Sequence, residues 1–263
     1  MADDTRQSVV LTRREGPALW ITIHREERRN ALNPQVLAQI EQAVRSARED
    51  REVRVMVLTG AGQRAFCAGA DLSRGTGVFS DGLDEPTTDF GRLARVVRET
   101  GIPLVARVNG DCVAGGMALM SLCDLAVVAD HARFGLPEGK VGVFPMQVLS
   151  LLQNLVPRRL VREWALTGEP IGAQEALEAG LVNYVVPTAE LDAKTDWLLS
   201  RLVDKSPTAI RRGKYAMRAI EAMSFDQAIA YTESQIALVA MTEDAKEGLA
   251  AFNERRKPVW TGR

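Results

Sequence analysis

Glu138 stands in the stretch ARFGLPEGKVGVFP (132–145), directly after Pro137 and between the apolar residues Phe134 and Val141. A carboxyl group in apolar surroundings resists ionisation, so its pKa rises toward the range in which a general base works near neutral pH. The same residue is equally readable as a surface acid or as a partner for Lys140. Two further stretches offer chemistry from the backbone. AFCAGADLS (65–73) is built from small residues, Ala65, Ala68, Gly69 and Ala70, so a ligand can reach main-chain N–H groups. In VNGDCVAGGMALM (108–120), Gly115 and Gly116 open an apolar helix. The first N–H groups of a helix have no internal partner, and its dipole favours negative charge there. Taken alone, the first stretch reads rather as a tight, well-packed turn, and the second at least as readily as close packing of helix on sheet. Taken together, two turns with free N–H groups and one acid in apolar company describe a thioester–enolate site. The N–H pair would hold the carbonyl oxygen as it becomes negative, and the carboxylate would move a proton beside it.

Such a site needs strands that end together. VRVMVLTG (53–60), LVARVNG (104–110) and DLAVVAD (124–130) are short apolar runs of the kind buried on both faces of a parallel sheet. Residues 8–13 and 18–24 read as strands around the turn Glu15-Gly16-Pro17. Asn33-Pro34 gives a cap and a first helical residue ahead of Val36, Leu37, Ile40, Ala43, Val44 and Ala47. The alternation of strand and helix is an α/β pattern. After residue 146 the pattern turns helical, over 146–156, 159–167, 173–179, 189–204, 207–222 and 225–252, interrupted by the strand-like LVNYVV (181–186). Residues 74–90 read as a long loop with the acids Asp81, Asp84, Glu85 and Asp89.

Composition narrows the function classes. The chain has 263 residues, 46% hydrophobic and 25% charged, with a net charge of −1, so bulk charge favours neither nucleic acid nor an anionic membrane. Three cysteines without a CxxC pair, and only His24 and His131, argue against a disulfide framework, a zinc site and a histidine-based triad. The start MADDTRQSVV lacks the form of a signal peptide, and no run of 18 apolar residues occurs; a cytoplasmic protein is expected. The glycine-rich turns match neither GxGxxG nor GxxxxGK[ST], which sets nucleotide binding aside.

The sequence resembles the crotonase (enoyl-CoA hydratase/isomerase) superfamily essentially end to end. The resemblance rests on IHREERRNALN (23–33), AFCAGADLS, the NG…AGG…CD stretch, FGLPEGKVGVFP, LTGEPIGAQEALEAGLVNYVVP (166–187) and TEDAKEGLAAFNERRKP (242–258). It implies an α/β spiral of repeated ββα units, with the active site in residues 1–190. Residues 191–263 would form a C-terminal helical layer for oligomerisation, as a homotrimer or a dimer of trimers, and for coenzyme A contacts. It further implies an acyl-CoA substrate, no cofactor beyond the substrate's own coenzyme A, no metal, and neither nucleic acid nor membrane as partner. By position, the oxyanion-binding N–H groups fall on Ala70 and Gly115 and the acid on Glu138. Coenzyme A would run past Arg28, Ala31, Ala68, Asp71, Leu72 and Gly116, with Arg255 meeting its phosphates. Val113, Met117, Met120, Phe144 and Met146 would line or back the acyl pocket, or simply belong to the core.

The pattern breaks at Ala118, where hydratases of this family carry a second glutamate. Three readings follow: hydration of a 2-enoyl-CoA with Glu138 dominant, which is narrowly preferred; double-bond isomerisation by the single acid; and acyl-CoA binding without catalysis.

Overall fold

The structure, a computed structural model, describes residues 8–73, 75 and 87–263. Asp81, Asp84 and Glu85 of the acidic loop lie outside the described residues. A hairpin opens the fold: β1 (Val10–Glu15) and β2 (Ala18–Ile23) are joined through Gly16, whose φ is 54°. Asn33 caps α1 (Pro34–Glu49), its side chain accepting from the Val36 N–H at 2.8 Å, and α1 turns Val36, Ile40, Ala43, Val44 and Ala47 inward. Three ββα turns follow. The first is β3 (Val55–Gly60), β4 (Ala65–Cys67) and α2 (Asp89–Glu99). The second is β5 (Leu104–Val108), β6 (Asp111–Val113) and α3 (Gly115–Ser121). The third is β7 (Leu125–Ala129), β8 (Arg133–Gly135) and α4 (Met146–Leu152).

Each turn contributes one strand to each of two sheets. The larger runs β1-β2-β3-β5-β7 and ends on β10 (Tyr184–Val186); it is parallel except for the β1–β2 hairpin. The smaller runs β4-β6-β8 and ends on the short β9 (Ile171–Gly172). The main apolar core joins both sheets to α1–α4. A second apolar cluster covers the opposite face of the large sheet, where Trp20, Val55, Val57, Val105 and Val127 meet Leu191, Leu198 and Leu199.

Several elements depart from the sequence expectation. Helix α2 starts inside the stretch expected to be loop. Thr88 caps it by accepting from the Gly91 N–H at 3.0 Å, and Leu93, Val96 and Val97 are buried. The strands β4, β6 and β8 have three residues each, too few for any periodicity to show. Of 181–186 only Tyr184–Val186 pairs as strand.

The remaining helices are α5 (Arg158–Thr167), α6 (Ala173–Glu178), α7 (Leu191–Val203), α8 (Pro207–Ile220), α9 (Phe225–Ala240) and α10 (Glu243–Asn253). The helix expected over 225–252 is therefore two, parted where Thr242 caps α10 by accepting from the Ala245 N–H. No helix among the described residues is long and apolar enough to cross a membrane. Helix α9 buries none of its residues, and Phe225, Ile236, Met241, Leu249 and Phe252 stand well exposed across α9 and α10.

Asp244 holds the end of the chain. It is 1% exposed. Its carboxylate accepts from the Ser206 hydroxyl at 2.7 Å and from the Thr261 and Gly262 N–H groups at 2.8 and 3.0 Å. Burial pushes its carboxyl up, but these bonds together bring it below its ordinary value. Asp244→Ala should therefore cost about 2–4 kcal/mol in chemical denaturation at pH 7. A carboxyl with a depressed folded pKa stabilises above its unfolded value and loses that contribution as pH falls through the folded one, so the gap between variant and wild type should narrow below about pH 4.

Candidate functional site

The two glycine-bearing turns meet beside β4 and β6, which pair in parallel with Cys67 opposite Cys112. From β4 the chain runs through Ala68 and Gly69 to Ala70. Leu32 straddles this segment: its N–H donates to the Gly69 carbonyl at 2.7 Å, and its carbonyl accepts from the Asp71 N–H at 2.8 Å. That pairing uses the peptide groups on either side of Ala70 and leaves the Ala70 N–H out. From β6 the chain turns at Ala114 into α3, which begins at Gly115. Among the described residues, neither the Ala70 nor the Gly115 N–H donates to a protein acceptor.

The glycines serve close approach here, not an unusual helix start. Gly115 and Gly116 keep ordinary negative φ, and the strained residue is Ala114, at φ 51° and ψ −125°. A non-glycine residue in such a region costs on the order of 1–3 kcal/mol. At Gly116 a Cβ would collide with the Cys67 carbonyl oxygen, and at Gly69, φ 87°, it would come to 2.7 Å from the Ala114 Cβ. At Gly115 a Cβ would meet only ordinary contacts: Leu32 Cδ1 at 3.4 Å, Gly69 Cα at 3.6 Å and the Ala70 nitrogen at 3.7 Å. The fold thus has room for a methyl group at Gly115, in space that borders the Ala70 amide.

Two buried asparagines hold the turn that feeds β4. The Asn109 amide donates to the Gly60 and Gly62 carbonyls at 3.0 and 2.7 Å. The Asn30 amide donates to the Ala61 and Ala65 carbonyls at 3.0 and 2.8 Å. Buried polar groups satisfied in this way fix the backbone they touch.

Ala70 and Gly115 open on a cavity of about 1010 Å³ whose walls are mainly apolar, among them Leu37, Phe90, Val143, Phe144, Met146 and Val148. Glu138 enters it from a single 3-10 turn, Pro137–Val141, and is half-buried. Its Oε2 is buried with no hydrogen-bond partner among the described residues. Burial pushes the Glu138 carboxyl above its ordinary value. Lys140 pairs with Glu169 at 3.3 Å, so the alternative of a Glu138–Lys140 pair is not what forms. Ala118 lines the same cavity and is 1% exposed. An apolar pocket with few polar groups, a carboxyl of raised pKa and two amides without acceptors among the described residues has the chemistry that binding a carbonyl oxygen and moving a proton next to it would need.

Of the expected site residues, Ala68, Ala70, Leu72, Gly115 and Glu138 line the cavity; Arg28, Ala31, Asp71, Gly116 and Arg255 do not. Gly116 packs on Cys67, and Asp71 pairs with Arg25. Arg28 is exposed, and Arg255 is exposed just past α10 with a φ of 53°. Phe144 and Met146 line the cavity as expected, while Met117 and Met120 belong to the core. Val113 is part-buried in β6. Asp89 lines the cavity and pairs with Arg92. Sequence reasoning missed Leu37, Phe90 and the Gln147–Thr88 hydrogen bond, 2.6 Å, at the cavity wall. The cap Thr88 and the spacing of Leu93, Val96 and Val97 were the signal that would have placed Phe90 there.

Comparison with known proteins identifies the family and the fold. The profile of the enoyl-CoA hydratase/isomerase family matches residues 13–263. Carnitinyl-CoA dehydratases from Salmonella enteritidis and Escherichia coli are each 36% identical over 262 residues, covering 98% of this chain and 99% of the relative. The crystal structure of enoyl-CoA hydratase from Mycobacterium tuberculosis superposes with a TM-score of 0.86 at 32% identity, covering 98% of this chain and 100% of that one. That from Mycobacterium smegmatis gives 0.87 at 31% identity, covering 96% and 98%. With its two-sheet spiral of ββα turns, the chain belongs to the enoyl-CoA hydratase/isomerase family and has the crotonase fold.

Proposed function

We propose that this acyl-CoA-processing enzyme hydrates a 2-enoyl-CoA or runs the reverse dehydration, using one carboxyl group for both proton transfers. The observation that carries the reading is the buried Glu138 Oε2 in the same apolar cavity as two amides, none of the three with a hydrogen-bond partner among the described residues. The thioester oxygen accepts from Ala70 and Gly115, which lowers the energy of the enolate. Glu138, as carboxylate, takes a proton from water as the water oxygen bonds to C3. The carboxylic acid then returns that proton to C2, so the net change is addition of one water. The names of the curated relatives support this direction.

Ala118 favours a second reading, isomerisation. With no second carboxylate to hold water, Glu138 would take a proton from C2 of a 3-enoyl-CoA and return it to C4. In either case the coenzyme A moiety would run past Ala68 and Leu72, with Arg28 and Arg255 available to its phosphates. The uncovered apolar face of α9 and α10 is the surface a homotrimer or dimer of trimers would bury.

Trans-2-hexenoyl-CoA and trans-3-hexenoyl-CoA separate the readings. Hydration removes the conjugated absorbance of the first; isomerisation creates it from the second. Binding of both without conversion would leave a binder and overturn catalysis. Glu138→Gln should slow turnover by about 10²–10⁴-fold. A carboxyl whose pKa is raised in the fold binds more protons folded than unfolded, so wild-type stability falls as pH rises from the unfolded value through the folded one. Glu138→Gln does not titrate. It should melt higher than wild type at pH 7, with the advantage shrinking toward pH 4, and wild-type activity should fall on the acid side as Glu138 protonates. Gly115→Ala should fold and melt like wild type yet lose turnover by about 10²-fold or more, because its methyl group, 3.7 Å from the Ala70 nitrogen, crowds the space between the two proposed donors. Gly116→Ala should instead lose stability, through its collision with the Cys67 carbonyl.

A further inference from the structure

We propose that Arg25 and Asp71 are positioning residues for the thioester-oxygen site, an inference that rests on Ala70 acting as a donor. The Arg25 guanidinium reaches the Asp71 carboxylate at 2.8 Å and the Ala31 carbonyl at 2.6 Å. The two side chains are 13% and 12% exposed, which makes this the most enclosed ion pair among the described residues. Both anchors of the guanidinium flank Leu32 and Ala70. Ala31 precedes Leu32, whose N–H and carbonyl bond to Gly69 and Asp71, and Asp71 follows Ala70. The other Asp71 oxygen accepts from the Ser73 N–H at 3.2 Å. The Ala70 peptide is therefore tied on both sides by Leu32, and Arg25 clamps the two segments that carry this tie by bridging Ala31 and Asp71.

The pair also settles an electrostatic conflict. A bare carboxylate one residue from Ala70 would oppose negative charge growing on an oxygen held by the Ala70 N–H. Arg25 cancels that charge, and holds the Asp71 carboxyl down at about 2, so it stays ionised and paired across the working range of pH. An exposed ion pair contributes little to stability, and an enclosed one is often matched by apolar substitutes. Its value at this position is to fix the amide while keeping its surroundings neutral.

The test is turnover of the hexenoyl-CoA isomers, with kcat and KM resolved, and the enolate absorbance of bound acetoacetyl-CoA. Arg25→Met should lower kcat about 30–100-fold, approaching the loss of one oxyanion donor, while KM stays within about threefold. Adding Asp71→Asn to Arg25→Met removes the bare carboxylate and should recover about tenfold of the lost kcat; a merely structural role predicts a double variant no faster than the single. Wild-type kcat in Arg25→Met, or no recovery in the double variant, overturns the proposal while leaving the Ala70 and Gly115 donors in place. If Arg25→Met does not unfold cooperatively, Asp71→Asn is compared with Asp71→Ala. Asn still accepts from Arg25 and should keep kcat within about threefold, Ala should lose about tenfold or more, and equal rates overturn the proposal. A wild type inactive on both isomers and without enolate absorbance overturns the donor reading, and this proposal with it.

Discussion

Two backbone amides from separate turns can serve one oxygen only if the chains carrying them come closer than side chains normally allow. In this protein Gly69 and Gly116 permit that approach, since a Cβ at either would strike Ala114 or the Cys67 carbonyl. Ala114 accepts the backbone strain of turning from β6 into α3. Asn30 and Asn109 lock the turn leading to β4 from two directions, with hydrogen bonds short enough to leave little slack. The two sheets of the ββα spiral exist, in this sense, to bring the ends of β4 and β6 side by side. The cavity, the acid and the surrounding helices are arranged around that meeting point.

The acid follows a different logic. A free amide at a chain turn costs little when water reaches it, but a carboxyl in an apolar wall destabilises the fold when it ionises. The surroundings could have relieved this cost and do not. Lys140, two residues away, reaches out to Glu169, and Glu138 Oε2 has no partner among the described residues. A site that keeps the pKa of a proton-transfer group raised must forgo the ion pair that would lower it.

How much of this was legible beforehand depended on whether a feature announces itself locally. Asn33-Pro34 is a local signal, and it caps α1 as read. The apolar runs of the large sheet are local too. Gly115 and Gly116 were legible as a place of close approach, but not which of the two is packed shut and which borders open space; that depends on Cys67 and Leu32, far away in the chain. Ala114 gives no sign of its strain, because alanine is usually found in ordinary conformations. The smaller sheet was hidden because three-residue strands carry no period and are selected by their neighbours. Phe90 and Leu37 reach the cavity through the packing of α1 and α2, which no motif marks. Asp71 was legible as a polar residue in the site segment, but its partner Arg25 lies 46 residues earlier, and only the fold joins them.

This division also bears on the missing second acid. The pair of amides at Ala70 and Gly115 is main chain, held by Leu32, two asparagines and a glycine-to-backbone contact, so a change of side chain at Ala118 does not disturb it. Position 118 lies one helical turn past Gly115, lines the cavity and is buried, so its side chain alters the stock of protons and water-binding groups near the substrate while α3 and its first amide remain in place. The polar groups left on the described wall, Asn33, Thr88, Asp89, Lys140 and Gln147, are largely engaged: Asn33 caps α1, Thr88 and Gln147 bond each other, and Asp89 and Lys140 are in ion pairs. On the proposed reading, enolate stabilisation falls to the backbone, and the outcome of the reaction turns on how one carboxyl group delivers its proton.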